Sequence, residues 1–230
     1  MTSTPRAETT TDTPSPPIRI QQNILARSER RLLNWICPRL PAWVTPDELT
    51  TLGFIGAVMV AAGYVLSWLS PAWLGLSLVG YVVHWFGDSL DGSLARWRRI
   101  ERPSYGYFVD HSVDAVATLL MVGGIGASPY MRLDVAFMAV IGYLLLSIHT
   151  FLAAKVMGEF RLSYLAGGPT ELRLMLMAMT VAMPIVGSGL ILQTSFTAFD
   201  LFAIVVASIL VTLFVVQSFA TARILSRRGG

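Results

Sequence analysis

Long apolar runs constrain this chain more than any other feature. Stretches such as "LGLSLVGYVVHWF" and "VATLLMVGGIGA" recur along its 230 residues, with a mean hydropathy of +0.61. Charged residues make up 13% of the sequence, well below the roughly 25% of an average soluble domain. A membrane span needs about 20 apolar residues. Six segments approach or exceed that length, near 49–69, 74–97, 105–127, 133–156, 171–190 and 199–224. There is no internal repeat and no β-alternation. The expected architecture is therefore all-α: an integral membrane protein of about six transmembrane helices, preceded by an amphipathic surface helix.

The flanking text fits that layout. Residues 1–17, "MTSTPRAETTTDTPSPP", are rich in Thr, Ser and Pro and lack the apolar core of a signal peptide. They are expected to form a disordered tail. Residues 18–40 mix Ile20, Ile24, Leu25, Leu32, Leu33, Trp35 and Ile36 with Arg27, Arg30, Arg31 and Arg39. This pattern suits equally an amphipathic helix on the membrane surface and a solvated helix packed on the body. Thr45, Pro46 and Glu48 form a capping box with proline at the first helical position. They open the first span of a membrane domain expected over 41–230. Pro184 is expected to kink the fifth span.

The net charge is +3, and Lys155 is the only lysine. Arginines cluster after the second span (Arg98, Arg99, Arg102) and at the C-terminus (Arg223, Arg227, Arg228), while Lys155 and Arg161 flank the loop after the fourth span. The alternate loops hold only Arg132. By the positive-inside rule both termini face the cytoplasm. A basic face on a soluble fold, as nucleic-acid binding would want, is absent. A lone cysteine, Cys37, excludes an intrachain disulfide and a cysteine metal cluster.

Against this apolar background stand four carboxylates in "GDSLDGSLARWRRIERPSYGYFVDHSVDA", residues 87–115. Asp88 and Asp91 are i,i+3, and Asp110 and Asp114 are i,i+4, so each pair shares a helix face. A short loop joins the two spans, which are expected to be antiparallel neighbours with facing aspartates at the cytoplasmic boundary. Four carboxylates together repel one another. Divalent cations with a taste for hard oxygen ligands, Mg²⁺ or Mn²⁺, would relieve that repulsion and bridge a pyrophosphate substrate. Gly92, Ala95 and Gly106 remove bulk beside the carboxylates, and Arg96 can donate to a phosphate.

The pattern Asp88-x-x-Asp91-Gly92-x-x-Ala95-Arg96, nine residues, then Gly106-x-x-x-Asp110-x-x-x-Asp114 resembles the signature of the CDP-alcohol phosphotransferases at all eight positions. The lead-in "TPDELTTLG" is similar to that family's "TPNxLTxxG", with Asp47 where the family often has asparagine. The resemblance implies an all-helical homodimer that transfers a phospho-alcohol group from a CDP-alcohol to a second alcohol and releases CMP. It implies two divalent ions held by Asp88, Asp91, Asp110 and Asp114, with Asp114 also taking the proton of the attacking hydroxyl. It further implies room for the nucleotide at Gly92, Ala95 and Gly106, with Asp88, Asp91 and Arg96 at the nucleotide. The chain's small size and single short N-terminal helix suit a bacterial phospholipid-synthesis enzyme of the inner membrane. CDP-diacylglycerol is the expected donor, and a polar alcohol or alcohol phosphate the acceptor.

"VDHSVD" keeps a second donor open, because choline/ethanolamine phosphotransferases show a similar "FDHGCD". His111 is i,i+3 from Asp114, where it orients that carboxylate, shares the proton transfer, or is simply a hydrogen-bonded helix histidine. His84, one turn before Asp88, reads as a boundary histidine or as a residue that supports the carboxylates from behind, and His149 as a polar contact between helices. Thr170 reads as a helix N-cap. Lys155, Arg161 and Arg173 are candidates for holding an anionic acceptor head group. Three other readings carry less weight. Ion pairing of the aspartates with Arg96, Arg98, Arg99 or Arg102 is one, yet intramembrane carboxylates are functional by default. Intramembrane prenyltransferases also pair Asp-rich motifs, without this Gly and Ala-Arg spacing. A divalent-cation transporter, or another non-catalytic membrane protein, would place acids deep in several spans, whereas Asp134, Glu171 and Asp200 sit at span ends.

Overall fold

The computed structural model describes residues 18–20, 26–157, 159–161, 169–191 and 194–228. The expected tail, 1–17, lies outside them. Among the described residues seven α-helices follow one another: α1 (Ala26–Ile36), α2 (Pro46–Leu66), α3 (Leu74–Arg98), α4 (Pro103–Gly126), α5 (Leu133–Met157), α6 (Pro169–Val186) and α7 (Ala198–Arg228). Among the described residues α2, α4, α5 and α7 are long and apolar enough to cross a membrane. α3 matches them in length, but its last turns carry Asp88, Asp91, Arg96 and Arg98. A helix suits lipid because it closes its own backbone hydrogen bonds.

Local chemistry sets the ends. Thr45 and Glu48 form the expected reciprocal cap at the start of α2, with the Thr45 amide 2.7 Å from Glu48 Oε2 and the Glu48 amide 3.2 Å from Thr45 Oγ1. The span therefore begins at Pro46, a turn earlier than its apolar run. Ser70 caps a 3₁₀ turn, Pro71–Trp73, that leads directly into α3. α3 stops at Arg99, whose φ of 57° is left-handed. The amides of Arg99 and Ile100 then return to the carbonyls of Arg96 and Ala95, at 3.2 and 3.0 Å. Pro103 opens α4 three residues later.

Three expectations shift. The helix expected over 18–40 is shorter, because Ile18–Ile20 pairs as a parallel strand (β1) with Glu159–Arg161 (β2), within the segment read as a loop, and Cys37–Arg39 forms a 3₁₀ turn. α3 and α4 make no extended contact with each other; α2 packs against both. The two aspartate pairs nevertheless come within electrostatic range of each other. Thr170 is the second residue of α6 rather than a cap, since Pro169 already begins the helix. Pro184 lies inside α6, as read.

α2 and α3 approach closely because glycine lines their crossing. A Cβ at Gly87 would collide with the backbone of Leu49 and Gly53. The main core lies toward the far end of the bundle, around Tyr64, Tyr81, Met121, Ile125, Met183 and Phe199. A second cluster, Leu33, Cys37, Val44, Leu49, Leu90 and Leu94, docks α1 on α2 and α3 beside Asp91.

Candidate active site

The four aspartates converge, each half-buried, at the end of the bundle where α1 docks. Asp88 on α3 and Asp114 on α4 lie within electrostatic range of each other. Asp91 lies in electrostatic range of Asp88 and Asp110, and Asp114 in range of the same two. Carboxylates brought this close repel one another, and a divalent cation among them relieves that repulsion. One ligand atom each from Asp110, His111 and Asp114 also lies within 4.8 Å of the other two. This donor set, four carboxylates and one imidazole, fits a divalent cation of the Mg²⁺ or Mn²⁺ type.

The arginines sort cleanly. Arg98 turns back to the carbonyls of Leu40, Pro41, Ala42 and Val44, shaping the link between α1 and α2. Arg102 pairs with Asp47 and lies over the Tyr105 ring at 4.1 Å. Arg96 is exposed, and its guanidinium donates to Ser93 Oγ at 3.2 Å. It is Arg173, from α6, that reaches Asp88 in a tight ion pair. Arg173 is buried, 9% exposed, and its Nη2 lies 3.4 Å from His84 Nε2. The two arginine positions offered for an acceptor thus divide: Arg173 enters the aspartate cluster, and the Arg161 side chain lies outside the described residues. Lys155 is exposed in the last turn of α5.

His84 is buried, with Nδ1 3.0 Å from the Gly53 carbonyl and Nε2 toward Arg173, the partner of Asp88, as the supporting reading expects. His149 bridges helices as read, its Nε2 3.2 Å from Thr221 Oγ1 on α7. His111 lies against Asp110, with Nδ1 3.3 Å from Oδ2. Its ring is held between Tyr107 and Phe151, with centroids at 4.3 and 5.0 Å. The small residues leave space: a Cβ at Gly106 would meet no atom within 4 Å, and one at Gly92 only the Arg96 guanidinium, at 3.3 Å.

Two further residues belong to the site. Thr50 donates its hydroxyl to Asp91 Oδ2 at 2.7 Å. It matches the second Thr of the "TPNxLTxxG" lead-in, and that match was the hint the sequence carried. Glu29, on α1, accepts from Trp85, Ser89 and Thr170. It looked like one acid among the arginines of an amphipathic helix.

Comparison with known proteins agrees with this geometry. The chain is similar to cholinephosphotransferase 1 of Danio rerio, 34% identical over 110 residues that cover 42% of this chain and 28% of the relative. It is 31% identical over 104 residues to an archaetidylinositol phosphate synthase of Pyrococcus horikoshii, covering 45% of this chain and 52% of the relative. It is 39% identical over 88 residues to a phosphatidylinositol phosphate synthase of Cutibacterium acnes, covering 37% of this chain and 39% of the relative. The matched segment thus spans between 28% and 52% of these relatives' lengths. The sequence profile of the CDP-alcohol phosphatidyltransferases covers residues 43–222, from the turn before α2 into the end of α7 and so across the whole aspartate cluster, and the chain belongs to that family.

Proposed function

We propose that this protein is an integral membrane enzyme that transfers a phosphatidyl group from CDP-diacylglycerol to a polar alcohol or alcohol phosphate, releasing CMP. The observation that carries the reading is the convergence of Asp88, Asp91, Asp110 and Asp114, with ligand atoms of Asp110, His111 and Asp114 within 4.8 Å of one another. In this reading those four residues hold two divalent ions, Mg²⁺ or Mn²⁺. Such ions, when bound, neutralise the pyrophosphate and stabilise the departing CMP.

The residues of the chain do the rest. Asp114 accepts the proton of the acceptor hydroxyl as its oxygen attacks the β-phosphorus of the CDP-alcohol. The bond from that phosphorus to the oxygen bridging to CMP breaks, and CMP leaves with the electron pair. Thr50 fixes the rotamer of Asp91. Gly92, Ala95 and Gly106 leave room for cytidine and ribose, with Arg96 at the phosphates. Arg173, Lys155 and Arg161 supply positive charge to an anionic acceptor. His111 orients Asp110, the carboxylate it touches, and through it the site.

In this reading α3 and α6 join the four apolar helices to make six spans, with both termini and the site on the cytoplasmic face of a bacterial inner membrane. The working unit is a homodimer, as the resemblance implies. A second donor is favoured by a specific feature: the "VDHSVD" text and the similarity to a cholinephosphotransferase point to a CDP-linked polar head group passed to a lipid alcohol. Purified protein with Mn²⁺ separates the two. CMP release from CDP-diacylglycerol with a soluble acceptor supports the first, and release from CDP-choline or CDP-ethanolamine with a lipid alcohol supports the second. No CMP from any donor across an acceptor panel would leave a transporter or non-catalytic membrane protein.

A further inference from the structure

Glu29 sits on the inner face of α1, with Leu33, Ile36 and Cys37 on the following turns. Its Oε1 accepts from Trp85 Nε1 at 2.8 Å and from Ser89 Oγ at 3.1 Å, both on α3. The Thr170 hydroxyl of α6 lies 2.9 Å from each of its two oxygens. These partners are placed around the active site. Ser89 adjoins Asp88. Thr170 is i,i+3 from Arg173, on the same face of α6, and Arg173 pairs with Asp88. The contacts close a ring from Glu29 through Thr170 and Arg173 to Asp88, and back through Ser89. Glu29 also attracts Arg173 electrostatically.

The ring ties the start of α6 to both α1 and α3. Among the described residues, the helix-to-helix packing of α6 is mainly against α3. α1 is firmly seated, with Leu33 and Cys37 in the docking cluster. A side chain that accepts from several donors at once ties the elements they sit on together.

We propose that Glu29 is a positioning residue that couples the surface helix to the active site, holding the start of α6 so that Arg173 remains on Asp88. α1 is then part of the catalytic apparatus and more than a membrane-surface element. Its removal or displacement releases Arg173. The effect on turnover rests on the proposed transferase activity; the effect on α6 does not.

The test uses the full-length protein in detergent, in a Cys37→Ala background with spin labels at Arg30→Cys on α1 and Leu174→Cys on α6, both exposed positions. Glu29→Ala and Thr170→Val are each expected to broaden or shift the α1–α6 distance distribution. CMP release is expected to fall between about ten- and a hundredfold in both, as misplacement of a positioning group does. Glu29→Gln keeps acceptor capacity toward Trp85 and Ser89 and a partner for Thr170, so it is expected to restore the distance distribution and most of the turnover. Thr170→Val severs only the α6 link, which guards against a Glu29→Ala protein that fails to fold. An unchanged distance distribution in Thr170→Val would overturn the coupling. So would Glu29→Gln behaving like Glu29→Ala, because hydrogen bonding would then not be what holds α6. If the parent protein releases no CMP at all, the transferase reading fails while the distance measurement still decides the tether.

Discussion

Asp91 shows how a neighbouring helix prepares a carboxylate. Thr50 on α2 donates to Oδ2, and the Gly92 amide donates to Oδ1, so both oxygens are oriented before any substrate arrives. Asp91→Asn keeps the shape and removes a charge, and is expected to abolish CMP release while the protein still elutes as a folded species in detergent. Near-normal activity would remove Asp91 from the ion-binding set. Thr50→Val deletes only the orienting bond. It is expected to weaken Mn²⁺ binding, measured by electron paramagnetic resonance titration, by about ten- to a hundredfold. Cys37 gives a second check at this scale. It is 2% exposed, and burial in the α1 docking cluster raises its thiol above the ordinary range. The thiol stays protonated at neutral pH, and the thiolate is the reactive form. Alkylation should therefore be slow at pH 7 and should accelerate at a higher pH than for a free thiol. Rapid labelling at neutral pH would mean that α1 is undocked.

The α2–α3 crossing is the element that places Asp88 and Asp91. Gly87 meets the α2 backbone so closely that no side chain fits, and Asp88 is the next residue. Gly87→Ala is expected to cost about 1–3 kcal/mol of stability through overpacking, read as a lower melting temperature in detergent, and to lower CMP release as Asp88 moves. Gly106→Ala is the contrasting case. Its Cβ enters open space, so the melting temperature should hold while activity falls if the nucleotide needs that space. Much of this was legible along the chain. Spacings of three and four put each Asp pair on one face, and the Thr45-x-x-Glu48 box set the start of α2, because both are local relations within one helix. What stayed hidden was non-local. Thr50, Glu29 and Arg173 act through partners 41, 56 and 85 residues away, and no periodicity encodes such pairings. The same limit made Thr170 look like a cap, since its hydroxyl partner lies on α1. It also made α3 and α4 look like packed neighbours, because a short loop fixes proximity but leaves the packing of the helices open.

At the scale of the whole molecule the two ends of the bundle differ in kind. One end carries the aspartates, α1 and the Arg98 and Arg102 contacts. The other is closed by a buried carboxylate, Asp200, which is 0% exposed. It accepts the Arg132 amide at 2.7 Å and the Thr197 amide at 2.8 Å, while the Thr197 hydroxyl reaches the Tyr130 carbonyl at 2.7 Å. This staple ties the α4–α5 turn to the start of α7, so both turns lie at one end, with the 3₁₀ turn at Ser70 belonging to the same end by the alternation of the helices. A through-membrane bundle then has two faces that chemistry can tell apart, and the proposed orientation, argued from the arginine bias, puts the aspartate end in the cytoplasm. In a Cys37→Ala background, a membrane-impermeant maleimide added to intact cells is expected to label Ser70→Cys and to spare Arg102→Cys until the cells are opened. Both positions lie in connections between helices, so burial in lipid does not confuse the result. Labelling of Arg102→Cys from outside would invert the molecule, and with it the side of the membrane from which CDP-alcohol and acceptor must arrive.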